Sequence, residues 1–193
     1  IRIVAGQYRR TPIEVIEAEG LRPTPDRVRE TLFNWLSYFW GGEFSNKRVL
    51  DLFAGSGSYG LEALSRGAAG GVFVEKNAKA AACVRQNIAA VCKCLGRDPS
   101  EHLALLEADA LTVPLGGEVT PDLVFIDPPY EIIPEVASKL FARLTEVLAA
   151  KPEALVVFEA PGEIELAPPG WTLRKRLGKG RGQPTVMFFR RDV

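Results

Sequence analysis

RVLDLFAGSGSYGLEALSR, residues 48–66, decides the fold. It opens with an apolar run, RVLDLF, of the kind that forms a buried strand. The run gives way at once to glycine-rich AGSGSYG (54–60). Glycines at such a turn let backbone N–H groups approach a ligand at a helix N-terminus. LEALSR (61–66) reads as helical and stops at Gly67.

The same alternation continues downstream. GVFVE (71–75) is a strand, and Asn77 starts a helix that runs to about Gly96. LALLEAD (103–109), DLVFID (122–127) and ALVVFEA (154–160) read as strands, and PEVASKLFARLTEVL (134–148) as a helix. Strands alternating with helices predict an α/β fold with a doubly wound, mostly parallel sheet and helices on both faces. The chain ends differently. WTLRKRL (171–177) and TVMFFRR (185–191) are joined by Gly/Pro-rich GKGRGQP, which predicts an antiparallel C-terminal hairpin. Upstream, IRIVAG and TPIEVIE predict a small N-terminal β element. A helix follows it, with Thr24 as its cap, Pro25 in its first turn and Asp26 at its positive end. Val28, Leu32, Trp35, Leu36 and Phe39 fall on one face of that helix at core spacing. Residues 1–40 are expected to be an accessory unit beside the site, and 41–193 the main domain.

Composition narrows the class. Of 193 residues, 47% are apolar and 25% charged, which suits a globular domain with a real core. No apolar run approaches the roughly 18 residues of a membrane helix. No secretion signal opens the sequence. Three cysteines, an odd number, show no zinc-type spacing, and His102 is the single histidine. The expectation is a reduced, cytoplasmic protein with no metal, its cysteines packed on or near a helix. The net charge is zero, but residues 171–193 hold seven Lys/Arg against one acid. A basic end on a neutral chain fits either a polyanion partner or a solvated hairpin.

The chemistry gathers at strand ends, where open α/β sheets bind ligands. The first strand ends in Asp51 and FAGSG, which offers Phe53, Ala54, Gly55 and Gly57 to a cofactor. The second ends in Glu75, eighteen residues after Gly57, a spacing that suits an acceptor for ribose hydroxyls. The third ends in ADA, placing Asp109 beside Ala110 where it can accept from an amino group. The fourth ends in Asp127-Pro128-Pro129-Tyr130. Gly55, Gly57 and Gly60 also satisfy G-x-G-x-x-G, so glycine spacing leaves a nicotinamide cofactor open. The DPPY tetrapeptide argues against it, because hydride transfer has no use for that group.

Together these strand ends resemble the class I S-adenosylmethionine-dependent methyltransferases. DPPY is similar to the [N/D/S]-P-P-[Y/F/W] tetrapeptide of members that methylate a planar amino group. LRPTPDRVRETLFNWL (21–36), followed by LDLFAGSGSYGLEALSRGA, resembles the 16S ribosomal RNA guanine-N2 methyltransferases of the RsmD type over nearly the whole chain. Departures are confined to the 92–103 connection and to irregular 114–120. The resemblance implies a seven-stranded sheet whose last strand is antiparallel, S-adenosylmethionine as cofactor, and N2 of one guanine in small-subunit RNA as acceptor. The expected partner is that RNA or the assembling 30S particle, with the protein a monomer.

In this reading Asp127 and the Pro128 carbonyl accept the amine's two N–H bonds, the rings of Pro128 and Pro129 keep them rigid, and Tyr130 stacks on the base. Arg9, Arg10, Arg22, Lys179 and Arg181 are candidates for RNA contact. Arg27 is a candidate for RNA or for the cofactor carboxylate, and equally reads as a plain surface arginine. The tetrapeptide would also serve adenine N6 in DNA or a glutamine amide. A non-catalytic RNA-binding assembly factor is a third reading, against which the intact Asp127, Glu75 and glycines argue.

Overall fold

The computed structural model describes residues 1–16, 24–96, 98, 101–178 and 180–193. Its centre is a seven-stranded sheet in the order β3-β2-β1-β4-β5-β7-β6. The strands are β1 (Arg48–Leu52), β2 (Gly70–Val74), β3 (Leu103–Leu106), β4 (Leu123–Ile126), β5 (Leu155–Pro161), β6 (Trp171–Leu177) and β7 (Pro184–Arg191). The first five pair in parallel, and β7 runs antiparallel between β5 and β6. The expected sheet and its C-terminal hairpin are therefore present. Strand order reverses between β1 and β4, so a crevice opens at their carboxyl ends.

Among the described residues four α-helices cover the faces: α1 (Asp26–Phe39), α2 (Ser58–Ser65), α3 (Ala78–Leu95) and α4 (Ile133–Val147). Leu140, Phe141 and Leu144 of α4 pack on Leu50, Val124 and Val156. Alternate residues of the same strands, Val49, Leu123 and Leu155, face Leu32, Phe33 and Leu36 of α1. Strands buried on both faces read as continuous apolar runs, which is why their sequences show no alternation. Helix α3 starts where expected, with the Asn77 side chain accepting from the N–H groups of Lys79 and Ala80. It ends at left-handed Gly96. Cys83 and Cys92 are buried on this helix.

Two local expectations change. Thr24 does not cap α1: Pro25 occupies the cap position with no side-chain hydrogen bond. Thr24 lies one residue too far out, and its hydroxyl donates to Glu159 instead. Among the described residues the N-terminal β element is reduced to one antiparallel bridge, between Arg2 and Pro12. The N–H groups of Val4 and Ala5 turn to the buried Glu62 carboxylate of α2, at 2.8 and 3.0 Å, which ends any ladder. Arg29 and Arg66 bracket the same carboxylate.

Candidate active site

At the end of β1 the chain turns sharply. Phe53 has φ +60°, an uncommon conformation for a side chain with a Cβ, and Gly55 and Gly57 are also left-handed. Beneath the turn Asp51, 2% exposed, accepts from the Gly60 N–H at 2.9 Å. Burial pushes the Asp51 carboxyl up to about 8; the Gly60 bond opposes this, and the charge of Glu75 adds to it. Gly60 is a packing requirement, since a Cβ there would lie 2.4 Å from the Phe73 ring.

Glu75 caps the turn from the side. One carboxylate oxygen accepts from the Gly55 N–H at 2.9 Å and the other from the Asn77 N–H at 2.8 Å. Asp109 lies beyond β3 and accepts from the Leu111 N–H, with Lys76 at 3.9 Å. Strand β3 ends at Leu106, before Asp109, although the Ala108 N–H still reaches the Glu75 carbonyl.

A cleft opens over the turn, with Phe53, Ala54, Gly55, Tyr59, Thr24 and Asp127 on its walls. Val15 and Ile16 of the N-terminal segment contribute to it. Asn87 of α3 holds that segment: it accepts from the Glu14 N–H and donates to the Glu14 and Ser56 carbonyls. The glycine turn and Asp127 thus share one cleft, and Glu75 joins it through Gly55. Asp109 and Ala110 lie outside the cleft walls.

Asp127 follows β4 directly. Pro128 is buried, Pro129 exposed, and Tyr130 opens a 3-10 turn, Tyr130–Ile132, with 39% of its surface exposed. Next to Asp127, on β5, stands Glu159, 4% exposed. Its Oε2 accepts from the hydroxyls of Thr24, at 2.7 Å, and of Tyr59. Burial, then the charge of Glu159, then that of Asp51, push the Asp127 carboxyl well above the carboxylate range. Burial also raises Glu159, while the Tyr59 and Thr24 hydroxyls pull it back. Tyr59 itself is fixed by stacking on Phe125, with ring centroids 4.7 Å apart and planes 9° from parallel.

A family model described as "Conserved hypothetical protein 95" matches residues 1–190. Ribosomal RNA small subunit methyltransferase D of Haemophilus influenzae is 37% identical over 183 residues, 93% of this chain and 89% of that protein. Its Escherichia coli namesake is 33% identical, covering 100% of this chain and 91% of that protein. The chain belongs to this family. The solved structure of the Escherichia coli protein yhhF superposes with a TM-score of 0.74 at 32% identity, covering 100% of this chain and 98% of that one. Family and fold together make the protein a class I methyltransferase.

Sequence reasoning missed Thr24, Tyr59 and Glu159. A signal for the last was present in ALVVFEA, an apolar strand that ends in an acid as DLVFID does. Among the candidate RNA contacts, Arg9, Arg10, Arg27 and Arg181 are exposed. Arg9 and Arg10 sit on a turn anchored to Ser65 of α2 through the Gln7 and Tyr8 N–H groups. Arg22 and Lys179 lie outside the described residues. Part of the basic C-terminus is structural: Arg176 donates to the Gly162 and Ile164 carbonyls, Arg190 to Pro152 and Arg191 to Ala149. No helix among the described residues is long and apolar enough to cross a membrane.

Proposed function

We propose that the protein transfers a methyl group from S-adenosylmethionine to the exocyclic N2 of a guanine in small-subunit ribosomal RNA. The observation that carries this reading is Asp127, the first residue of Asp127-Pro128-Pro129-Tyr130, on the wall of the cleft that the glycine turn floors. The residues present fit the cofactor. Left-handed Gly55 and Gly57 let the backbone approach it closely, and the partly exposed Glu75 keeps lone pairs for ribose hydroxyls beyond its two backbone bonds. Asp51 acts through the turn by holding Gly60. When bound, S-adenosylmethionine supplies a methyl on a sulfonium, an electrophile that needs no metal.

The chain's own work is orientation and charge. A guanine amine is a poor nucleophile because its lone pair is delocalised into the ring. Asp127 and the Pro128 carbonyl accept its N–H bonds, aim the lone pair and stabilise the positive charge that develops. Tyr130 offers a partly exposed ring for a base that has left its stack. Exposed Arg9, Arg10, Arg27 and Arg181 supply phosphate contacts. The resemblance of residues 21–36 to the RNA-directed members, and the names of the full-length relatives, favour RNA over DNA or protein. Mapping methylated guanines in small-subunit RNA from cells with and without the protein tests the reading. One N2-methylguanine lost on deletion is expected; an unchanged map with a lost adenine or glutamine methylation refutes it.

A further inference from the structure

Glu159 stands apart from the residues the proposed reaction already employs. It lies in β5 with 4% of its surface exposed. Strands β4 and β5 are parallel and in register through Ile126 and Phe158, so Asp127 and Glu159 are the next residues at the same level. By the alternation of the pleat both point to the face of Phe125 and Val157, the face that α1 and α2 cover. Two hydroxyls from distant segments, Thr24 before α1 and Tyr59 of α2, converge on a single oxygen of Glu159. Thr24, Tyr59 and Asp127 all line the cleft. The titratable groups around Asp127 are Asp51 from β1, Tyr59 from α2 and Glu159 from β5. Among the described residues neither Asp127 nor Glu159 has an ion-pair partner.

A glutamine would hold both hydroxyls through its carbonyl oxygen. A carboxylate costs more to bury, and it costs most beside another carboxylate. What the acid adds over the amide is negative charge next to Asp127. We propose that Glu159 is a positioning residue for methyl transfer: it fixes the Thr24 and Tyr59 hydroxyls on one flank of the acceptor pocket, and its charge makes Asp127 the proton acceptor for the attacking amine. This rests on the amino-methyl transfer proposed above. In the step, the N–C bond forms as the C–S bond breaks onto sulfur. The amine's proton passes to Asp127 and leaves to water with the product. The upward displacement of Asp127 by burial and by Glu159 agrees with this assignment.

The test is the pH profile of single-turnover methyl transfer to small-subunit particles isolated from cells lacking the protein. Glu159→Gln keeps an acceptor for both hydroxyls and removes the charge. It should bind S-adenosylmethionine within about twofold of wild type by calorimetry, because the glycine turn and Glu75 are untouched. Its acid limb, which belongs to the Asp127–Glu159 pair, should move down by roughly one pH unit, and its plateau rate should fall about tenfold. Glu159→Asp restores charge at the cost of reach. Its acid limb should return to the wild-type position even where its plateau rate stays low. A Glu159→Gln profile superimposable on wild type, or an acid limb equally displaced in Glu159→Asp, overturns the inference. Failure of the parent reading looks different: wild type itself would transfer no methyl to an amine.

Discussion

The two halves of the cleft hold their acids by opposite means. On the β1–β2 side, Asp51 and Glu75 accept from backbone N–H groups of Gly60, Gly55 and Asn77, all within a short run of chain. On the β4–β5 side, Asp127 stands beside Glu159, which accepts from two side chains 135 and 100 residues away. Backbone donors fix an acid through local chain geometry, so that half is written as a compact motif. Side-chain donors fix an acid only after distant segments have packed, and here they leave two carboxyl groups side by side. The first arrangement suits a cofactor common to many enzymes. The second makes proton affinity adjustable one residue at a time.

If the halves are separate in function, each should fail alone. Asp127→Ala should slow single-turnover methyl transfer by on the order of 10²–10³, the range for removing one preorganised group from a transition state, with cofactor affinity nearly unchanged. A normal rate in a folded variant would dissolve the distinction. Glu75→Ala should do the reverse. Loss of a charged hydrogen-bond partner should weaken S-adenosylmethionine by roughly 1.5–3 kcal/mol, or about tenfold or more, and leave the rate at saturating cofactor alone. Calorimetry and a single-turnover assay on one preparation would separate the two outcomes.

Proton linkage sharpens the comparison further. Asp51 has its carboxyl raised from 3.8 to about 8 in the folded protein. Between those values the native state holds a proton that the unfolded chain has released. Stability contributed by this group is therefore lost as pH rises from about 4 to about 8, with a slope of up to roughly 1.4 kcal/mol per unit. Asp51→Asn keeps an acceptor for Gly60, and its melting temperature should depend less steeply on pH across that window. A steeper dependence in the variant would reverse the sign and discard the argument. The smallest effect belongs to Thr24→Val, which deletes one of the two hydroxyls on Glu159. It should cost about 1 kcal/mol of stability by denaturant titration and leave cofactor binding intact.

The contrast also explains what the sequence discloses. AGSGSYG, Glu75 and Asn77 act on neighbouring backbone, so their spacing already contains their geometry. The sheet was legible for a related reason, since apolar runs alternating with helical periods leave few topologies. Thr24 was misread because a threonine before Pro-Asp is the local pattern of a helix start, while its true partner lies 135 residues away. Glu62 was likewise invisible as the group that takes the N–H groups of Val4 and Ala5 out of a ladder. Among the C-terminal cations, nothing in sequence separates Arg176, tied to two carbonyls, from exposed Arg181.

The 135-residue span between Thr24 and Glu159 also sets an order of events during synthesis. A ribosome releases the chain from its N-terminus, at roughly 5–20 residues per second. The glycine turn and its acids emerge early and lie close together. The flank beside Asp127 has no anchor until residue 159 has left the exit tunnel, several seconds later. Every unfinished chain that stops before β5 therefore carries the motif without a formed acceptor pocket, and β5 completes the site.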